Sequence, residues 1–294
     1  MKIIKIQGGL GNQMFQYAFA KSCAMHSGDV IYLDISNYTK NINNKKGIDS
    51  IHNGYELEHL FNIDLPEADM KSVLKLGTLP DSFLHRFKRK YLTKKTHYIE
   101  KGLQAVNLEL LKSSKNLYLE GYWQSEDYFS ECTDVIRQAF DFKLTPAQKN
   151  LDLLKEHKNL VSIHVRRGDY LNQTGFAVCT EDYYSAAIKY MKEKFTDSIF
   201  LIFSDDILWC KDFFKSLIDS DKCIFVDWNC GADSWQDMYL MSRCKGNIIA
   251  NSTFSWWAAW LNNSSDKCVV APKNWCTLPD FDVSRLVPDS WIRL

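Results

Sequence analysis

Two adjacent arginines follow an apolar run in "NLVSIHVRRGDY" (159–170), with His164 two positions before the first and Asp169 two after the second. A guanidinium is planar, permanently charged and bidentate, so it suits a phosphate. On a strand, residues 164 and 166 share a parity and project from one face, whereas Arg167 falls on the other face or begins the loop. One arginine can then enter a cleft while its neighbour braces the fold. Asp169 either orients an arginine or serves as a general base. A second apolar run ends in "FSDD" (203–206), where paired aspartates suit magnesium or recognition of a base and sugar, and where Asp206 is also a candidate helix cap. No further metal ligands accompany them. A third, "ANSTFSWWAAWL" (250–261), sets Ser252, Thr253 and Ser255 at the start of a helix. Backbone N–H groups and hydroxyls there form an anion site without metal, unless Asn251 or Ser252 simply caps the helix. Trp256, Trp257 and Trp260 are expected to be core.

Near the N-terminus, "GGLGNQMFQYAFA" (8–20) lies between a strand and a helix, and Asp34 ends the next strand. This is the layout of a dinucleotide fingerprint, but Met14 stands where the third glycine belongs. Gly9 and Gly11 otherwise mark a tight turn needing positive φ, or the Asn12 and Gln13 amides line a cleft. In "GYWQSEDYF" (121–129), aromatics beside amides and carboxylates are what a neutral sugar needs.

The elements that position these residues are clearest in the second half. Short Ile-, Val- and Phe-rich runs at 159–165, 198–204, 222–227, 246–251 and 267–272 alternate with helical stretches beginning near Thr180, Asp206, Asp233 and Ser252. Such alternation predicts a parallel sheet covered on both faces, with ligands at the carboxyl ends of the strands. In the first half, strands are expected at "KIIKIQ", "VIYLD" (30–34) and "LYLEGYW" (117–123), and a helix from about Asn12 to Gly28. Residues 36–55 read as a long loop. In "TPAQ" (145–148), Thr145 as cap and Pro146 as first helical residue predict a helix start, which sets the domains at 1–145 and 146–294.

Composition agrees with two globular domains in 294 residues, at roughly 150 residues each. Thirty-six basic residues balance thirty-six acidic ones, which removes the electrostatic case for nucleic acid. Nine scattered cysteines without a CxxC pair fit free thiols in a reducing compartment. With neither a signal-peptide core nor a membrane span, the expected location is the cytoplasm. The basic run "HRFKRKYLTKK" (85–95) reads as a solvated helix face or a peripheral contact with the inner membrane surface.

Taken in order, "GGLGNQMFQY", "HVRRGDY", "SDD" and "NSTFSWWAAW" resemble the bacterial α-1,2-fucosyltransferases of glycosyltransferase family 11. The resemblance spans residues 6 to about 272. It implies an α/β fold of GT-B type, two Rossmann-like domains facing a cleft, the N-terminal one on the acceptor side and the C-terminal one binding GDP-fucose. The enzyme would be inverting and metal-independent, with GDP-fucose and a galactose-terminated glycan as substrates. Arg166 would contact the β-phosphate, His164 and Asp205 the guanine, and Ser252, Thr253, Phe254 and Ser255 the pyrophosphate and base. Gly11 and Asn12 would reach the donor from the other domain. Gln124, Glu126 and Asp34 are assigned to the acceptor. Asp169 is the first candidate base, with Glu126, Asp127 and Asp34 in reserve. The rivals are an NAD-dependent oxidoreductase using the Gly9/Gly11 turn and Asp34, a binding module without turnover, and a fucosyltransferase of different linkage.

Overall fold

The computed structural model describes residues 1–39, 53–78, 93–101, 106–168, 170–172, 179–276 and 284–294. Asp169, residues 85–92 of the basic run and most of the 36–55 loop lie outside them. The chain divides into two compact units, Met1–Lys143 and Leu144–Leu294.

The first unit carries β1 (Lys2–Lys5), α1 (Leu10–Ser27), β2 (Ile31–Asp34), β3 (His97–Ile99) and β4 (Leu117–Glu120). Its sheet has the order β2-β1-β4-β3, all parallel. α1 is buried over most of its surface, because Met14, Phe15, Ala18 and Phe19 pack inward along with the amides of Gln13 and Gln16. It stops where Gly28 takes φ 64° and returns its N–H to Ala24 O. The helix begins two residues before the expected Asn12. β3 has only three residues, too few for a period-two pattern, and nothing in the local sequence marks it.

The second unit contains α2 (Gln148–Glu156), β5 (Leu160–Val165), α3 (Glu181–Lys194), β6 (Ile199–Ser204), α4 (Ile207–Phe214), β7 (Cys223–Phe225), α5 (Trp235–Ser242), β8 (Gly246–Ile248), α6 (Thr253–Leu261), β9 (Cys268–Ala271) and β10 (Ile292–Arg293). The sheet order is β10-β9-β8-β5-β6-β7, again all parallel. Every residue of β5 is buried, as expected of a central strand covered on both faces. The chain runs from β5 outward through β6 and β7, then crosses back to place β8 on the other side of β5. The strand order therefore reverses between β5 and β8, and the crevice beyond their carboxyl ends is where such sheets bind ligands.

Two helix starts differ from expectation. α2 begins at Gln148 with no side-chain cap at Ala147. Ala147 N donates to the buried Gln236 Oε1 at 2.7 Å, and this tertiary bond holds the preceding turn extended. α5 begins at Trp235, after a 3₁₀ turn at Gly231–Asp233. α3 starts at the expected place, and Thr180 caps it, its hydroxyl accepting from Tyr183 N at 3.2 Å. Thr180→Ala should lower stability by about 1 kcal/mol, read as a shift in the urea midpoint with unchanged slope. Among the described residues no helix is long and apolar enough to cross a membrane.

Candidate active site

β5 delivers His164 near its end and releases Arg166 and Arg167 into the following turn, while β6 presents Asp205 and Asp206 immediately beside them. Asp205 serves both arginines. Its Oδ2 lies 3.2 Å from Arg166 Nη1, and its Oδ1 accepts the backbone N–H of Arg167 at 2.9 Å. Arg167 turns the other way, with Nε 3.2 Å from Asp206 Oδ2 and its guanidinium 4.2 Å from the centre of the Trp209 ring. Asp206 also caps α4, accepting from Trp209 N at 3.3 Å. Arg167 is thus the brace, and Arg166 is the arginine at the carboxyl edge of the sheet, paired with Asp205 and 5.7 Å from the Tyr170 ring. Gly168 is required by closeness rather than by torsion: a Cβ there would stand 2.9 Å from Asp205 Oδ2.

The third strand end adds a helix N-terminus. α6 follows β8 directly, and no side chain caps it. Asn251, a candidate cap from sequence, is engaged elsewhere: its Nδ2 donates to Trp275 O at 2.9 Å and its Oδ1 receives the Cys179 thiol at 3.6 Å. Ser252 occupies the cap position without capping, and Ser255 is wholly buried with its hydroxyl on the carbonyls of Ala250 and Ser252. Among the described residues no carboxylate accepts from the first-turn N–H groups, which form the positive end of the helix dipole. Two contacts link this turn to β5 and to the segment that follows it. Tyr170 Oη donates to Asn251 O at 3.2 Å, and the His164 and Phe254 rings are 5.9 Å apart. Trp256, Trp257 and Trp260 are core, as expected.

His164 is 7% exposed, and its Nδ1 is buried without a hydrogen-bond partner. Burial pulls its pKa down to about 4; the Asp205 charge opposes this and the Arg166 charge adds to it. The imidazole is therefore neutral at pH 7, and the cationic character of the site comes from Arg166. Between about pH 4 and 6.5 only the unfolded chain binds this proton, so His164 makes stability rise with pH across that window, by on the order of 3 kcal/mol. Asp237 acts in the opposite sense. Burial raises its carboxyl to about 7, despite the hydrogen bond from Asn229 Nδ2 at 2.8 Å, so its contribution is full below 3.8 and is lost as pH rises through about 7. The two oppose each other in the wild type, and single variants separate them. Urea midpoints at about pH 5 and 7.5 should differ more for His164→Asn than for the wild type, the pH 7.5 value being the lower, because the Asp237 loss is then unopposed; parallel curves would mean that another group titrates.

In the first unit the strand order reverses between β1 and β4, and three amides bridge that point. Gln16 accepts from Gln7 N at 2.9 Å and donates to Gly121 O at 3.2 Å, and Gln124 Nε2 donates to Asn12 Oδ1 at 2.8 Å. The residue with positive φ is Gly8, at 80°, rather than Gly9 or Gly11. Its carbonyl receives Tyr38 Oη at 2.6 Å and Gln13 Nε2 at 3.0 Å. Gln13 also bonds Gly54 O and Glu56 N, and it is fully buried. It stitches loops together instead of lining a cleft. Asp34 is 3% exposed, with its two oxygens accepting Tyr118 Oη at 2.7 Å and Ser36 N at 3.0 Å. A ribose hydroxyl would have to displace one of these, which counts against the dinucleotide reading. Glu126 and Asp127 lie in a 3₁₀ turn capped by Ser125.

The structure therefore gathers His164, Arg166, Asp205 and the Ser252–Ser255 turn in the second unit, and separately Asn12 and Gln124 in the first. Gly11 lies inside α1, next to Asn12. Gln16, Gly168 and Tyr170 were not singled out from sequence. Gly168 alone left a signal there, as a glycine inside a charged turn. Among the described residues no three His, Cys, Asp or Glu side chains are grouped to hold a metal.

The sequence profile described as Glycosyl transferase family 11 matches residues 1–283. An α-1,2-colitosyltransferase of Escherichia coli is 33% identical over 305 residues, covering 99% of this chain and 98% of the relative. The O-antigen biosynthesis glycosyltransferase WbnK of Escherichia coli is 30% identical, with 98% and 99% covered. A galactoside α-(1,2)-fucosyltransferase of Saimiri boliviensis boliviensis is 28% identical over 58% of this chain and 48% of its own. Among solved structures, the NodZ α-1,6-fucosyltransferase soaked with GDP-fucose superposes with a TM-score of 0.51 at 16% identity, over 88% of this chain and 91% of that one. This likeness concerns fold: α/β of the GT-B type, built from two Rossmann-like units.

Proposed function

The chain belongs to glycosyl transferase family 11, and from that premise we propose that it transfers L-fucose from GDP-β-L-fucose to the 2-hydroxyl of a terminal β-galactoside, inverting the anomeric carbon to give an α-1,2 linkage. One observation carries the donor half. Arg166, paired with Asp205 at the carboxyl edge of the sheet, lies 5.7 Å from the ring of Tyr170, whose hydroxyl bonds Asn251 O in the turn that opens α6.

Bond breaking leaves negative charge on the β-phosphate of GDP. A preoriented guanidinium and first-turn N–H groups stabilise that charge without reorganising, by about 3 kcal/mol for a well-placed donor. Asp205 positions Arg166, and it is the carboxylate assigned to the guanine. His164, neutral and with Nδ1 unpaired, offers a hydrogen bond to the nucleotide. Ser252, Thr253 and Phe254 complete the donor side. Asp169, two positions after Arg167 in the sequence, is the candidate base for the acceptor hydroxyl, and an early break of the bond to GDP reduces the basicity required. The first unit takes the acceptor. No metal is required for transfer in this reading: Asp205 and Asp206, the carboxylates best placed to hold one, are paired with Arg166 and Arg167.

A second donor has a specific observation in its favour. The 33%-identical relative is named a colitosyltransferase, and colitose is the 3-deoxy counterpart of fucose. GDP release with EDTA present, with and without N-acetyllactosamine, tests the reaction; kcat/KM for GDP-fucose against GDP-colitose tests the donor; linkage analysis of the product tests the position. Acceptor-dependent release from GDP-fucose supports the proposal. A preference for GDP-colitose would replace the sugar, a product of another linkage would replace the position, and GDP-fucose binding without release under any β-galactoside would sink the transferase reading.

A further inference from the structure

The turn after β4 is built with more constraint than its chain reversal needs. Glu100, at the carboxyl end of β3, accepts both Tyr122 N at 2.7 Å and Trp123 N at 3.0 Å on one oxygen, Oε2. Gly121 allows that approach, since a Cβ there would stand 2.6 Å from Glu100 Cβ and 2.7 Å from Oε2. Trp123 is then held at φ 55°, a conformation a bulky residue rarely adopts, by full burial and by stacking on Phe19 at 4.1 Å and 7°. With Trp123 turned inward, Tyr122 is left 44% exposed and Gln124 is directed to Asn12. A phenol ring and two side-chain amides thus share the strand-order reversal of the first unit, the place where such a sheet takes a ligand.

We propose that this turn is a hexose subsite: the Tyr122 ring is the platform for the apolar face of the acceptor's β-galactose, and the amides of Gln124 and Asn12 take its hydroxyls. A β-galactose presents the C–H bonds of C3, C4 and C5 on one face and hydroxyls around its rim, which matches a ring flanked by amides. Gln124 donates one N–H to Asn12 Oδ1, and Gln124 Oε1 and Asn12 Nδ2 remain as acceptor and donor for those hydroxyls. Glu100 is a positioning residue, acting through the Tyr122 and Trp123 N–H groups. The inference rests on the proposed transferase reading for the identity of its sugar, though not for the existence of the subsite.

Steady-state kinetics with N-acetyllactosamine and GDP-fucose test it. Tyr122→Ala should raise the acceptor KM roughly five- to tenfold and leave the GDP-fucose KM unchanged, the size expected for one lost aromatic stack. Tyr122→Phe should rescue the acceptor KM. Glu100→Ala should reproduce the rise, while Glu100→Gln, which keeps an acceptor oxygen, should recover most of it. An unchanged acceptor KM in Tyr122→Ala, or equal rises in both KM values, would overturn the subsite while leaving the transferase standing. If the wild type transfers nothing, saturation-transfer NMR of N-acetyllactosamine decides separately. Saturation lost in Tyr122→Ala supports the subsite although the reaction was misassigned, and equal saturation in both proteins, or none in either, overturns it.

Discussion

Replacing Arg166 with alanine is expected to lower kcat by about 10²- to 10³-fold, the effect of removing one preorganised donor from a developing oxyanion. The fold should survive. Arg166 and Asp205 side chains are 27% and 25% exposed, and pairs with that much contact with water contribute about 0–1 kcal/mol to stability. Urea midpoints close to wild type, together with the fall in kcat, would therefore assign the loss to chemistry. Arg166→Lys keeps the charge but not the planar fork, so it should recover only part of the rate. Gly168→Ala offers an independent check, because its Cβ displaces Asp205 Oδ2 and loosens Arg166 without removing it. Its kcat should fall between those of wild type and Arg166→Ala. A kcat left intact in Arg166→Ala, or a rise in KM for GDP-fucose alone, would limit this residue to binding the ground state.

The largest effect on stability is expected at Trp256. Its ring is fully buried, 5.0 Å from Trp257, 5.4 Å from Trp291 and stacked 6.4 Å from Trp260, and its indole N–H donates to Leu286 O at 2.8 Å. Trp256→Ala should cost about 3–5 kcal/mol, a large share of the roughly 5–15 kcal/mol that holds a domain together. Trp256→Phe keeps most of the packing and strands the Leu286 carbonyl, so it should cost about 1–3 kcal/mol. Urea denaturation with GDP binding as a second readout checks both. Because Trp256 anchors the helix whose first turn is Ser252–Ser255, the affinity for GDP should fall along with stability in the alanine variant. Unaltered stability would mean that the tryptophan cluster is not the core of this helix.

Much of the candidate site in the second unit was legible in the sequence because it depends on local pattern. Apolar runs of strand length, separated by helical stretches, mark a parallel sheet, and they locate the residues just beyond each strand. The division of labour between Arg166 and Arg167 followed from strand parity. Gly28 marked the end of α1 because its left-handed φ suits glycine. Asp206 was readable as a cap because a cap is a bond between near neighbours, and the start near Thr180 was readable from the pattern around it.

Other features depend on partners far away in the chain. The start of α2 was misjudged because Ala147 N bonds Gln236, 89 residues on. Capping of α6 was the simplest reading of Asn251, yet that side chain is claimed by Trp275 and Cys179. Asp34 looked available at a strand end, but Tyr118 Oη reaches it across 84 residues. β3 and β10 have three and two residues, so their strand character is supplied by the neighbours that complete their hydrogen bonds.

By itself, then, the sequence determined which residues sit at strand ends and which chemistry they carry, since burial periodicity and side-chain type are local properties. Only the tertiary structure decided that β8 returns to lie beside β5, bringing the turn at 250–255 next to His164 and Tyr170. It likewise decided that Asp205 holds Arg166, and that Glu100 sets the turn at Tyr122. Strand order and carboxylate pairing are settled by packing between segments tens of residues apart, a competition that no local stretch of sequence encodes.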